Sequence, residues 1–274
     1  MKKPLRYAYA ALALGIGLVL AGAVVSKQQE RSRHRRAVVE DDMRLPSVSQ
    51  RLMQLADTLD KSQRAALFEQ YKVAALFEVS KKYAEPQNGF VGPTPQRLEV
   101  VFTHVAPDVQ DPGTYSAKGL TRVKGAIQTL AGIIKLRQVR YAWDPEAEAY
   151  IATGDFYFAQ AAGSGRPAAT WRGLVALDFE VKDAQVKLLM QEGPMLPVTR
   201  GFAFEGTCAP SPVGQPERVV WAANFGPLGS TILEGFGPGG RSIEVAPRYR
   251  KYGWDKYWEN EEWWAKSSTP NLSL

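Results

Sequence analysis

TWRGLVALDFEVKDAQVKLLM, residues 170–190, decides how the chain is read. Trp171, Gly173, Val175, Leu177, Phe179 and Val181 fall on one face, with Thr170, Arg172, Leu174, Ala176, Asp178 and Glu180 on the other. That alternation is the pattern of a strand with one buried face. Lys182, Asp183 and Ala184 supply turn chemistry, and Val186, Leu188 and Met190 resume the period, so the segment predicts a hairpin.

The same period extends upstream. Tyr150, Ala152, Gly154, Phe156 and Phe158 alternate against Ile151, Thr153, Asp155, Tyr157 and Ala159. Aromatics on both faces predict burial on two sides or an interior that faces a ligand. Leu98, Val100 and Phe102 form an earlier strand, and Tyr115, Ala117, Thr121 and Val123 the next. Gly119 and Gly125 fall in or beside that second strand, where glycine marks bulges and tight bends. The run 130–143 slips its apolar phase near Arg137-Gln138, which predicts a bulge. Short candidates follow at 201–207, 218–225, 231–236 and 242–245, each bounded by Pro or Gly.

About nine or ten strands with short turns and no helical pattern between them predict a mainly β domain over 96–246. Long strands favour an antiparallel meander β-barrel, because closure removes exposed edges; a β-sandwich is the alternative. The expected barrel is similar in architecture to the lipocalin or avidin style. The Gly-x-Trp signature of lipocalins is missing from the first strand, so the resemblance implies a shape and no activity.

Ahead of the β domain, Tyr7–Val25 carries no charge and is preceded by Lys2, Lys3 and Arg6. As a helix it would span about 28 Å, the thickness of a bilayer core. Residues 1–26 therefore read as an uncleaved signal-anchor or transmembrane segment. Ala21-Gly22-Ala23 would suit a signal-peptide cleavage site, but the apolar run is longer than such peptides use. The overall charge of +6 lies almost wholly beside this segment. Residues 1–36 hold eight Lys and Arg against Glu30, and residues 37–274 hold the other 26 bases and 27 acids, a net of −1. A nucleic-acid partner, which needs a basic face, has no support there.

By the positive-inside rule, the basic run Lys27–Arg36 argues for a cytoplasmic domain. The order of short charged terminus, membrane segment and β-rich body argues for an extracytoplasmic one, which is the orientation expected here. Residues 27–46 form a juxtamembrane linker. Residues 47–85 read as helical, with Ser47 and Gln50 at capping-box spacing and Val48, Leu52, Leu55 and Leu59 on one face. Asp60-Lys61-Ser62 interrupts the repeat, and Leu67, Tyr71, Ala75 and Val79 resume it. Packing on the β domain is expected over a self-pairing coiled coil. Pro86–Pro95 reads as a turn or linker before the first strand.

The tail 247–274 concentrates Tyr249, Tyr252, Trp254, Tyr257, Trp258, Trp263 and Trp264. Were it helical from Trp254, then Trp254, Tyr257, Trp258 and Trp264 would share a face and Trp263 would point away. Its aromatics are expected to dock on the barrel and close one end, with a carbohydrate-stacking or protein-binding surface as the alternative.

No catalytic signature stands out, and a non-enzymatic role without a cofactor is the expectation. His34 and His104 are the only histidines and Cys208 the only cysteine, too few for His- or Cys-rich metal sites. No Gly-x-Ser-x-Gly elbow occurs. Gly235–Gly240 resembles a dinucleotide loop but leads into a strand-like segment, so no helix N-terminus would meet a phosphate. Asp155, Asp178, Glu180, Glu205 and Glu234 are the acid/base material, with Asp178, Glu180 and Arg172 expected as a solvent-facing row.

The resulting expectation is a membrane-anchored envelope protein whose β domain binds a hydrophobic small molecule or a partner protein. The residues expected to line that site are Tyr150, Phe156, Phe158, Trp171, Trp254 and Trp258. A carbohydrate-binding or carbohydrate-active domain using Trp and carboxylates, and a structural part of an envelope complex, are the alternatives.

Overall fold

The computed structural model describes residues 58–79, 85–142, 148–161, 167–190, 199–210, 214–226, 232–234, 244–259 and 261–265. Residues 1–26, expected to be a membrane segment, and the expected helix start at Ser47 lie outside them. No described helix is long and apolar enough to cross a membrane.

Nine strands make the main sheet: β1 (Gln87–Val91), β2 (Gln96–Pro107), β3 (Thr114–Val123), β4 (Ala126–Tyr141), β5 (Ala149–Ala161), β6 (Pro167–Lys182), β7 (Gln185–Leu188), β8 (Phe202–Pro210) and β9 (Glu217–Ala222). All pairings are antiparallel. Consecutive strands from β1 to β6 pair in order, β6 passes to β8 and β8 to β9, and β9 returns to β1. The result is a closed eight-stranded barrel, with β7 as an extra strand beyond the end of β8 on β6. It settles barrel over sandwich. A separate two-stranded pairing joins β10 (Leu233–Glu234) to β11 (Glu244–Val245).

Local chemistry fixes the register. The β6–β7 hairpin turns through Asp183 and Ala184, both at positive φ, and β3–β4 through Lys124 and Gly125 likewise, the two-residue turns whose twist suits a hairpin. The expected bulge in β4 is present, with the pairing to β5 shifting between Leu136 and Gln138. In β2, β3, β6 and β7 the inward phase is the apolar one read from the sequence. Glycines on that phase permit closure: a Cβ on Gly154 would lie 1.8 Å from the Lys135 carbonyl oxygen, and one on Gly206 2.1 Å from that of Arg172. Gly154→Ala is therefore expected to destabilise the protein by about 1–3 kcal/mol, the range for overpacking, in urea unfolding followed by tryptophan fluorescence.

The segment Gln87–Val91 corrects the sequence reading. Asn88-Gly89 was expected in a turn, yet Gly89 is mid-strand, where a Cβ would stand 2.0 Å from the Val220 carbonyl oxygen. Glycine here marks close strand approach, not chain reversal.

Rings fill the interior. Phe204 and Trp221 stack at 4.6 Å with planes 2° apart, Phe156 meets both edge-on at 5.3 Å, and Trp171 meets Trp221 at 5.8 Å. Phe102 and Phe158 extend the cluster. Such offset and edge-to-face pairs add to the stabilisation from burial itself.

The segment before β1 packs onto one end of this core, as expected, but not as a continuous helix. Helix α1 spans Lys61–Gln70 and is followed by a 3-10 turn at Val73–Leu76. Asp60 starts α1 with a capping box: its carboxylate accepts from the Ser62 and Gln63 amides at 2.7 and 2.9 Å, and Gln63 accepts from the Asp60 amide at 3.0 Å. The hydrogen bond from the Ser62 hydroxyl, then those amides, hold the Asp60 carboxyl below the usual range. Phe68 and Phe77 enter the core against Tyr115, and Phe77 reaches Phe202 at 5.2 Å. Val79, expected on the helix, instead donates its amide to Phe102 of β2 at 3.0 Å.

Candidate functional site

Outward residues of β2 and β3 would ordinarily meet water, yet Glu99, Val101 and Leu120 are buried. The C-terminal tail covers them. Helix α2 (Pro247–Arg250) is followed by 3-10 turns at Trp254–Lys256 and Trp263–Ala265. Gly253, at φ 87°, turns the chain onto the barrel. The Tyr252 carbonyl then accepts from the Arg97 amide at 3.0 Å and from Gln96 Nε2 at 2.9 Å. Trp254 Nε1 donates to the Pro95 carbonyl at 2.6 Å, and its ring stacks on Phe225 at 4.6 Å.

Beneath the tail is a shared ion cluster. Arg97 and Glu99 lie two residues apart on the outward phase of β2, and the register puts Arg122 directly across from Glu99. Glu99 accepts from Arg97 Nη2 at 3.1 Å and from Arg122 Nε and Nη2 at 2.6 and 2.8 Å. Arg97 Nε also donates to Asn88 Oδ1 at 3.1 Å, and Arg122 Nη1 to Glu261 of the tail at 2.9 Å. Each guanidinium has a tail ring over it, Tyr257 for Arg97 at 5.8 Å and Trp263 for Arg122 at 5.1 Å, as cation–π contacts require. Burial lowers the Arg97 pKa from its ordinary value, against the opposing charge of Glu99. Burial also pulls on Arg122, but the hydrogen bonds and charges of Glu99 and Glu261 outweigh it and leave that pKa raised.

Between this cluster and the tail lies a cleft of about 640 Å³, a size common for small-molecule sites. Arg97, Arg122, Lys124, Arg250, Lys251 and Lys256 line it with Glu99, Asp255 and Glu261, a lining charge of +3. Glu99 and Glu261 are engaged by Arg97 and Arg122. Lys124, Arg250 and Lys251 are exposed and make no ion pair with a described carboxylate.

Of the residues expected to line a ligand site, the structure brings Phe156, Phe158 and Trp171 together inside the barrel, all buried. Tyr150 stacks on Phe179 at 5.3 Å. Trp254 is buried apart from them, in the tail's contact with Pro95 and Phe225, and Trp258 is 58% exposed. The aromatic face expected for a helical tail is not formed. Trp263 packs on Val101 and Leu120 because the chain is broken into short turns, with Glu262 at φ 42°. The described part of the tail, expected to close an end of the barrel, lies instead on the outer face of β2 and β3.

Three of the candidate carboxylates are tied up singly. Asp155 is paired with Arg137, and Glu205 with Arg218 at 2.8 Å. Asp178, expected in a solvent-facing row, is fully buried. It accepts from the Thr199 hydroxyl at 3.0 Å and the Arg200 amide at 2.9 Å, because the returning chain lies over that part of β6. Arg172 and Glu180 of the same row keep some exposure. Among the described residues no group of His, Cys, Asp and Glu is placed to hold a metal. Burial pushes the Cys208 thiol up to about 11, which leaves little thiolate at neutral pH.

No family model, curated protein or solved structure matches the chain.

The cleft was not foreseen from the sequence, since its two walls come from residues about 150 positions apart. The available signal was Arg97-x-Glu99-x-Val101, a mixed charged and apolar outward phase that a purely solvated face would not need.

Proposed function

We propose that the chain is a membrane-tethered, non-catalytic binding protein of the cell envelope, with its β domain on the extracytoplasmic side. The barrel is its scaffold, and the working surface is the tail-roofed cleft. The observation that carries this reading is the contrast between an interior filled by ring contacts and a cleft that gathers Lys124, Arg250 and Lys251 without ion pairs to described carboxylates. The uncharged run Tyr7–Val25 and the basic run Lys27–Arg36 support the tether.

A second reading, an apolar ligand inside the barrel, draws on one feature. The indole nitrogens of Trp171 and Trp221 are buried without hydrogen-bond partners, which a ligand acceptor would satisfy. Native against denaturing mass spectrometry of the detergent-solubilised full chain separates the two. The cleft reading expects a bound mass that Lys251→Glu loses and Trp171→Phe keeps. The interior reading expects the reverse, and a bare chain in every sample would sink both.

A further inference from the structure

We infer that the cleft takes a small ligand bearing two phosphoryl groups, a proposal that rests on the cleft being the working surface. Three observations converge on it.

The first is charge. Glu99 is committed to Arg97 and Arg122, and Glu261 to Arg122, which leaves Asp255 against Lys124, Arg250, Lys251 and Lys256 and the lining at +3. A phosphomonoester carries about 1.5 to 2 negative charges at neutral pH, so one leaves part of the lining unbalanced, and a second phosphoryl group completes it. A monocarboxylate falls further short.

The second is placement. The available cations come from opposite walls, Lys124 from the β3–β4 turn and Arg250 with Lys251 from the end of α2. Lys124 is held there by the positive-φ turn, and Lys251 lies over the Tyr252 ring at 5.0 Å. Lys256 stands nearby, 3.6 Å from Glu259. Cations on two sides suit an anion with two charged ends, and Arg250 adds a planar fork that fits phosphate oxygens.

The third is size. A volume of about 640 Å³ exceeds what a bare phosphate needs, leaving room for the organic part of an ester. A long polyanion fits poorly, because residues 37–274 are net −1 and give it no overall attraction. Phosphoryl groups could be offered by a soluble ester or by a lipid headgroup, and the chemistry of recognition is the same.

The test is calorimetric titration of inorganic pyrophosphate into the full chain held in phosphatidylcholine nanodiscs. Saturable one-to-one binding is expected, weakening as salt rises because the contacts are ionic. Lys251→Glu and Arg250→Glu should each weaken it by about tenfold or more, since each turns an attraction into a repulsion. Lys251→Arg should keep it within a few-fold, and Arg172→Glu, on the exposed far face of β6, should leave it unchanged. All three positions are exposed, and an unchanged near-ultraviolet dichroism spectrum verifies folding. Repeating the titration with a phosphatidylinositol monophosphate in the disc, a lipid whose headgroup bears two phosphoryl groups, identifies the source: a lower apparent affinity means that headgroups occupy the cleft, and an unchanged one means a soluble ester. Absence of saturable heat, or heat insensitive to both charge reversals, overturns the proposal. Should the mass-spectrometric adduct still depend on Lys251 in that case, the cleft remains the working surface and only its ligand class is wrong.

Discussion

Trp221→Ala should remove about 3–5 kcal/mol of stability, the range for truncating a large aromatic in a core that cannot collapse around the gap. Trp221 is fully buried on β9 and stands at the centre of the ring cluster. Phe204 is stacked on it at 4.6 Å, and Phe156 and Trp171 meet it edge-on at 5.3 and 5.8 Å. Those partners sit on β5, β6 and β8, three strands of a closed barrel, so none can move inward without breaking its own ladder. The cavity therefore persists, and the loss includes both transfer and cavity contributions. Urea unfolding followed by far-ultraviolet dichroism measures it without relying on the deleted fluorophore. Trp258→Ala is the control: that ring is 58% exposed, and its loss should change stability by no more than about 0.5 kcal/mol. A Trp221→Ala cost below about 1 kcal/mol would mean the barrel centre is loosely filled, and would favour the interior-ligand reading.

How much of this was legible in the sequence follows from how far each interaction reaches along the chain. Period-two alternation is local, so the inward phases of β2 and β6 were readable, as were the Asp183-Ala184 turn and the Arg137 bulge. Closure could be expected but not assigned, because the strand that closes the barrel carries Asn88-Gly89, a dipeptide that elsewhere makes turns. Only the close approach of Val220 and Trp221 across the β1–β9 seam explains that glycine. The same limit hid the functional face. Asp178 looked like a surface charge because the chain that covers it returns from Thr199 and Arg200. Nothing local to Glu99 signals that it is covered, because its roof lies about 160 residues away, in a tail whose helical phase misassigned Trp263. Outward phases carrying both charges and Val101 or Leu120 were the remaining clue that something covers them.

Removing the Glu99 charge by Glu99→Gln should be the most damaging polar substitution, at about 3–5 kcal/mol, the range for breaking a buried ion pair by deleting one partner. Glu99 and Arg97 side chains are 6% and 5% exposed and Arg122 is 13% exposed, so loss of one carboxylate leaves two guanidiniums in a site from which water is largely excluded. Asn88 still accepts from Arg97, and Glu261 from Arg122, but Glu261 is half-exposed and pairs of that kind contribute about 0–1 kcal/mol. The tail should respond first. Tyr257 and Trp263 are held partly by the two arginines beneath them, and if those side chains swing out toward water the roof loses its anchors. Trypsin cleavage at Arg250, Lys251 and Lys256 should then accelerate under conditions where the barrel dichroism is unchanged, separating release of the tail from global unfolding. Replacing the cluster as a whole, Arg97→Met with Glu99→Leu and Arg122→Met, strands no charge and should destabilise less than Glu99→Gln alone. If the single variant proves the milder of the two, Glu99 is not the balancing charge, and the tail is held by its tryptophans rather than by the ions under them.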